Sequence, residues 1–488
     1  MGQAVPGAGR AGRASDPRRS RRGGGPVGGS AATTRPPAER QGRPPTESGR
    51  AGGSLMERRL LAWIDRQPVG TLRDRDGVWS FQYAPAWLEA ADNFALCPGL
   101  PLQAGEHRDG GSRRPVQWYF DNLLPEEGQR LLLAGTARVD GSDAFGLLGH
   151  YGAESAGSLT LLPADGEQRE GGLRPLSNAD LSARIAAMPG VPLVEGAPKR
   201  MSLAGAQHKL AVVLQDGELF EPSGRMPSTH ILKPDHPHDS YAHSVVNEWF
   251  TMALARRLGL AVPRVERRYV PQPVYLIERF DRQQETGGWR RLHSIDACQM
   301  LGLSAAYKYL EGSVARLTEL AGACRSPAVA RTALFQWLVF NLLVGNTDAH
   351  LKNLGFLVSH GGIRPAPFYD LICTAVYDTS AFDNGRWPAA TTLAWPLEGR
   401  ARIAEVDRRC LLEAGETMRI KPATATRLMD RLRSRIADEA RALHAQVERE
   451  NAALIARRPE LAATFAGEMR CLRAIIHVVI AEQVARLG

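Results

Sequence analysis

The chain has 488 residues, 43% apolar and 23% charged, ordinary for a soluble globular protein and longer than one hydrophobic core normally supports. Six dispersed cysteines (Cys97, Cys298, Cys324, Cys373, Cys410, Cys471) with no Cys-x-x-Cys pair argue against a zinc knuckle or disulfide framework and suit a reducing cytoplasm. The formal charge of +9 is concentrated in residues 1–54, where ten arginines face Asp16, Glu39 and Glu47, leaving about +2 for the remainder and no electrostatic reason for the body itself to bind nucleic acid strongly.

Residues 1–54 are rich in Gly, Arg, Pro, Ser and Ala and bury too little to offset their ordering entropy, so a disordered, solvated tail is expected. An upstream start, with Met56 as the initiator, is the other bland reading. From about residue 55, Leu60-Leu-Ala-Trp-Ile-Asp, a turn at Gln67-Pro-Val-Gly and Trp79-Ser-Phe-Gln-Tyr predict a small β-meander. Helices follow through Leu133 and Phe145, then a strand at Leu159-Thr-Leu-Leu, and the Gly- and Glu-rich stretch at 164–172 reads as a boundary. Strands are predicted at 209–215, 218–222, 230–233, 264–270 and 274–278, with a helix at 244–258 stopped by Gly259. Ser326-Pro327 opens a long apolar helix, serine as N-cap, which ends at Gly345; residues 403–488 carry apolar side chains at helical period. The organisation expected is a tail (1–54), a β-rich subdomain (55–165), a mainly β lobe (166–281) and a helical lobe (282–488). The longest apolar run, 475–480, is interrupted by His477 and falls short of the roughly 18 residues of a membrane span.

Chemistry concentrates after that long helix, at Gly345-Asn-Thr-Asp348-Ala-His-Leu-Lys352-Asn353 and Phe368-Tyr-Asp370. The loop lies between that helix and a strand predicted at 354–358, and a loop held at both ends by core elements positions side chains well. An acid and an amide five apart, followed by a second acid, are the parts of a phosphoryl-transfer site: Asp348 accepts a hydroxyl proton while Asn353 and Asp370 hold Mg2+. Each alone reads better as a turn cap; the three in order, at loops flanking one hairpin, favour chemistry. Lys233, ending His230-Ile-Leu-Lys233-Pro, can meet phosphates or simply snorkel. Glu248 on the next helix is read as exposed in preference to pairing with Lys233. The small residues Ala204, Gly205 and Ala206 let backbone N–H groups approach phosphate, though no Walker loop is present. Phe280 and the backbone at Glu278 can meet an adenine or simply end an apolar strand. The histidines at 230, 236 and 238 lack partners at metal-ligand spacing, and the arginines of 427–443 read as a solvated helix face.

Five stretches together resemble the HipA-type serine/threonine kinases, toxins of bacterial toxin–antitoxin pairs: Ser202-Leu-Ala-Gly-Ala-Gln-His-Lys209, His230-Ile-Leu-Lys233-Pro, Ile277-Glu-Arg-Phe-Asp-Arg282, Asn346-Thr-Asp-Ala-His-Leu-Lys-Asn353 and Phe368-Tyr-Asp-Leu371. The resemblance spans about residues 55–488 and implies an α+β, two-lobed, protein-kinase-like fold with a β-rich N-terminal region and an all-helical C-terminal lobe. It implies ATP and Mg2+, with Asp348 as base, Asn353 and Asp370 on the metal, and Ala204, Gly205, Ala206, Gln207, His208, Lys209, Lys233, Glu278, Phe280 and Lys352 around the nucleotide. Ser202 corresponds to a serine that members autophosphorylate to silence themselves. His208 departs from a glutamate common in that loop. The resemblance further implies a protein substrate such as an aminoacyl-tRNA synthetase, a small helix-turn-helix antitoxin of HipB type, DNA contact only through that antitoxin, no membrane, and a cytoplasmic location. The rival readings are a small-molecule phosphotransferase of the aminoglycoside-kinase type, disfavoured because His350 follows the acid, and a catalytically idle operator-bound corepressor.

Overall fold

The computed structural model describes residues 57–166, 169–201, 204–205, 207–286 and 288–488; the predicted tail, Ser202 and Ala206 lie outside them. Alternating apolar residues in 57–83 build three antiparallel strands, β1 (Glu57–Ile64), β2 (Gln67–Arg75) and β3 (Val78–Tyr83), as the period-2 pattern predicts. The turn sits at Asp65 and Arg66, not at Gln67-Pro-Val-Gly, which lies inside β2. Asp65 takes the positive φ of 50° that a tight two-residue turn demands. With β4 (His107–Arg108) and β5 (Leu159–Pro163) these strands form a sheet in the order β4-β3-β2-β1-β5.

The second sheet contains every strand expected between 209 and 278. Its members are β6 (Gly172–Pro175), β7 (Leu210–Gln215), β8 (Glu218–Ser223), β9 (His230–Pro234), β10 (Val265–Tyr269) and β11 (Pro273–Glu278), in the order β10-β11-β9-β7-β8-β6. β9 is central, pairing Lys233 with Tyr275 of β11 and Leu232 with Leu210 of β7. The helix Ser244–Arg257 covers the sheet and ends at Gly259, whose φ of +87° supplies the left-handed C-terminus.

The region after residue 282 is not all helical. A three-stranded antiparallel sheet (His293–Asp296, Gly355–Ser359, Gly362–Pro365) and the hairpin Thr392–Leu397 with Arg400–Arg402 interrupt it. The physical reason is local: Ile295, Phe356 and Val358 are β-favouring residues buried on a sheet face. The helix Pro327–Leu343 does begin after Ser326, but that serine makes no side-chain capping bond. The helix stops where Gly345 adopts φ +66°; a Cβ there would come within 2.6 Å of Val479 Cγ1 and 2.8 Å of Ala375 Cβ. Only glycine fits that corner, and the corner launches the Asp348 loop. The helix Pro422–Ile455 buries one stripe, Ala425, Met429, Leu432, Ile436, Ala440, Leu443 and Val447. Its outward face carries the i,i+4 pair Arg435–Glu439 at 3.0 Å, as an exposed, ion-paired face should, and its Asp430 takes Arg408 of the preceding helix at 2.6 Å. Among the described residues no helix is long and apolar enough to cross a membrane.

The first sheet is tied to the rest by His293, buried on the strand His293–Asp296. Its ring meets Ser158 Oγ at 2.9 Å, Leu96 O at 2.9 Å and Tyr119 Oη at 3.2 Å. Burial pushes its pKa down to about 4, below the unfolded value near 6.5. The unfolded chain therefore binds this proton first. The stability contributed is complete above pH 6.5 and is lost as pH falls from there toward about 4, at up to ~1.4 kcal/mol per pH unit. Urea unfolding between pH 7.5 and 4.5 should show this acid loss, and a His293→Gln variant should show a shallower slope.

Candidate active site

β9 carries Lys233 to the wall of a cleft, where burial would discharge the ammonium unless acids compensated. They do: Lys233 Nζ donates to Glu248 Oε1 (2.8 Å) and Oε2 (3.1 Å) and to Asp370 Oδ1 (2.7 Å). Although burial opposes it, the charges of Asp370 and Glu248 raise the Lys233 pKa, so the amine stays charged. Glu248 is thus not the exposed helical acid expected from sequence. It is 3% exposed because its helix is packed on several sides, with residues Val245 through Met252 all buried.

Asp370 stands at φ +57°, a left-handed backbone that aspartate tolerates better than most residues and that clusters at functional sites. Burial favours its neutral form, but the ammonium groups of Lys233 and Lys209 overcome this and hold it well below the usual carboxylate range. Lys209 is pushed down to about 8 by burial and by the Lys233 charge; its Nζ donates to Ala204 O at 2.5 Å. Gly205 crosses above with φ +106°, and a Cβ on it would meet Lys209 Nζ at 2.7 Å. The Gly205 backbone also accepts from Glu126 N at 3.4 Å and forms a bridge with Pro125. The segment after the first helices therefore braces the small-residue loop.

Opposite, the Asp348 loop is fastened by its own backbone. Asp348 N donates to Asn346 Oδ1 (3.1 Å), and Asp348 O accepts from His350 N (2.8 Å) and Asn353 Nδ2 (2.9 Å). With its nitrogen so engaged, the Asn353 amide presents its oxygen as the atom for a cation. A carboxylate and an amide oxygen are hard donors of the kind Mg2+ takes together with substrate phosphates, so Asn353 and Asp370 fit the metal predicted for them.

One cleft gathers Ala204, Gly205, Gln207, Lys209, Lys233, Glu278, Phe280, Asp348, Lys352, Asn353 and Asp370. His208 is buried and does not line it. Lys352 lines it, but its three donors are engaged by Asp296 Oδ2 (2.5 Å), Asn122 Oδ1 (2.9 Å) and Asn122 O (3.1 Å). Phe280 stacks on Tyr369 at 5.6 Å. The Glu278 N–H donates to Arg264 O (2.9 Å), so an adenine contact there falls to its carbonyl. Sequence reasoning missed Glu126, Lys308, Tyr309 and Asp296. Lys308 Nζ meets Glu126 Oε2 at 2.6 Å across 182 positions, and no local pattern signals a pair so distant.

A buried lysine bridged to two acids, a glycine-containing loop above it and an acid–amide loop opposite define a phosphotransferase of the protein-kinase class. The sequence matches the HipA N-terminal domain over residues 60–162 and the HipA-like C-terminal domain over residues 201–440. It is 36% identical over 367 residues to the putative kinase Y4mE of Sinorhizobium fredii, covering 72% of this chain and 84% of that one. It is 34% identical over 321 residues to the serine/threonine-protein kinase toxin HipA of Shewanella oneidensis, covering 62% of this chain and 71% of the relative. The solved structure of the Shewanella oneidensis HipA, HipB and operator DNA complex includes a chain that superposes with a TM-score of 0.67 at 27% identity, covering 87% of this chain and 99% of that one. The chain belongs to the HipA family of serine/threonine-protein kinases.

Proposed function

We propose that this protein is an ATP- and Mg2+-dependent kinase toxin of HipA type that phosphorylates a serine or threonine of a protein. The observation that carries the reading is Lys233, held between Glu248 at 2.8 Å and Asp370 at 2.7 Å in the cleft that also contains Asp348 and Asn353. In this reading the second sheet (in the 166–281 region) forms one side of a two-lobed, kinase-like cleft and the Asp348 loop (in the 282–488 region) the other. Asp348 is the residue assigned to take the proton of the acceptor hydroxyl, and Lys233 fixes phosphate by charge and position. Asn353 and Asp370 would hold Mg2+, which supplies charge neutralisation at the transferring phosphoryl group. The loop carrying Ala204, Gly205, Ala206, Gln207 and Lys209 covers the phosphates, and Phe280 with the Glu278 carbonyl receives the base.

The biological role follows by similarity. The relative solved with HipB and operator DNA supports a small helix-turn-helix antitoxin as partner, with DNA reached through it. A translation-related protein such as an aminoacyl-tRNA synthetase is the proposed substrate, acted on in the cytoplasm. Ser202 is the proposed autophosphorylation site: nearly two negative charges beside a phosphate-binding loop would repel the nucleotide and expel the loop.

Incubation with γ-labelled ATP and Mg2+, followed by mass spectrometry of the chain and of lysate proteins, tests this directly. Label is expected on Ser202 and on one lysate protein, and Asp348→Ala should lower incorporation by about 10²- to 10⁴-fold. Incorporation unchanged by Asp348→Ala would remove the base assignment. No ATP turnover in the wild-type chain would leave a kinase fold acting as a scaffold.

A further inference from the structure

The side chain of Asp348 has a neighbour that the kinase reading does not use. Tyr309 Oη donates to Asp348 Oδ1 at 2.6 Å, a short, charge-assisted contact of the stronger kind. Tyr309 comes from a turn 39 positions earlier in the chain, and that turn is locked to the Asp348 loop in register. Leu351 N donates to Lys308 O at 3.1 Å, and the Tyr309 ring sits edge-on to His350 at 5.0 Å between centroids. Lys308 lies 5.1 Å from the same ring and is itself anchored on Glu126. The tyrosine therefore cannot drift independently of the loop that carries the acid.

We infer that Tyr309 is a positioning residue for phosphoryl transfer, holding one oxygen of the Asp348 carboxylate so that the plane of the carboxylate is fixed when the acceptor hydroxyl arrives. The inference rests on the reading of Asp348 as the base. Three backbone contacts set where Asp348 starts, but a carboxylate can still rotate about its last bond, and this bond opposes that rotation. Burial and the Asp348 charge both raise the Tyr309 pKa, so the hydroxyl remains a donor and does not compete for the proton that Asp348 has to accept. Misplacement of a base by about an ångström is enough to cost two orders of magnitude in rate, which sets the scale available to this contact.

The test uses the full chain, Mg·ATP and steady-state phosphate release, with phosphate incorporation followed by intact mass. Tyr309→Phe keeps the ring and its edge contact with His350 and removes only the hydroxyl. Turnover at saturating ATP is expected to fall about tenfold or more, with the KM for ATP and the melting temperature unchanged. Tyr309→Leu should lose the same turnover and also some thermal stability, separating the bond from the packing. A Tyr309→Phe turnover within twofold of wild type, or a loss seen in KM for ATP instead of turnover, overturns the proposal while Asp348→Ala still abolishes transfer. Full turnover in Asp348→Ala, or none in the wild-type chain, removes the base reading itself and this inference with it.

Discussion

Replacement of Lys233 by methionine is expected to lower phosphotransfer by about a hundredfold or more, the usual cost of deleting a preorganised charge at a phosphoryl site. It should also destabilise the fold, which an exposed catalytic lysine would not do. Glu248 Oε1 and Asp370 Oδ1 approach the same ammonium at 2.8 and 2.7 Å; without it two carboxylates face each other with no cation between them. Removing one partner of a buried pair costs roughly 3–5 kcal/mol. The Asp370 side chain is 36% exposed at the cleft while Glu248 is 4% exposed, so solvent screens one acid and the lower end of that range applies. In the variant both acids lose the charge that held their pKa values down, and Glu248, already raised by burial, rises further. For an acid, a folded pKa raised above the unfolded value of about 4.3 means stability present below that unfolded value and lost as pH rises above it. Urea unfolding of Lys233→Met should therefore show its largest deficit near pH 7 and a smaller one near pH 5. An equal deficit at both pH values would mean that the lysine contributes packing alone.

Glu154→Gln is the second large effect. Glu154 is 1% exposed, and its carboxylate receives Lys199 at 2.6 Å, Arg282 at 2.9 Å, Arg279 at 3.3 Å and Arg291 at 3.4 Å, with Ser228 Oγ donating at 2.7 Å. Asp281 shares Arg279 (2.6 Å) and Arg282 (3.2 Å), and Asp65 takes Arg291 (3.1 Å). Four cations face three acids in this network, and the substitution leaves them facing two. Glutamine preserves volume, so the loss is electrostatic. About 3–5 kcal/mol of stability should disappear, measured by denaturant unfolding. Arg279 and Asp281 flank Phe280, which lines the cleft, so ATP affinity should weaken as well. A Glu154→Gln protein as stable as the wild type would show that the arginines are satisfied by Asp281, Asp65 and carbonyls without it.

Five of the six strands of the second sheet were legible because they are short apolar runs bounded by turn residues, with limits within a residue or so of the predicted ones; β6 (Gly172–Pro175), beside the stretch read as a boundary, was not. The acid–amide loop was legible for a different reason: Asp348 and Asn353 lie within one loop, so their separation along the chain is also their separation in space. Glu248 was misjudged because amphipathic reasoning assumes one solvent face, and the Ser244–Arg257 helix, packed against sheet and helices, has almost none. The strand expected at 354–358 is present as Gly355–Ser359, but the all-helical expectation for the region after 282 failed where short buried strands such as His293–Asp296 carry too few residues for their period to stand out from a helix.

From its sequence alone, this protein could be assigned the family its motifs resemble, most strands of its second sheet and the acids and amides available for phosphoryl transfer, because each is carried by a short run of residues. Only the tertiary structure decided which charges meet. It joined Lys233 to Asp370 across 137 positions, Glu154 to Arg279 and Arg291 across 125 and 137, and Tyr309 to Asp348 across 39. These contacts govern whether a buried group is charged and which partner each carboxylate meets. They depend on burial and on distances through space, which the order of residues in the chain does not contain.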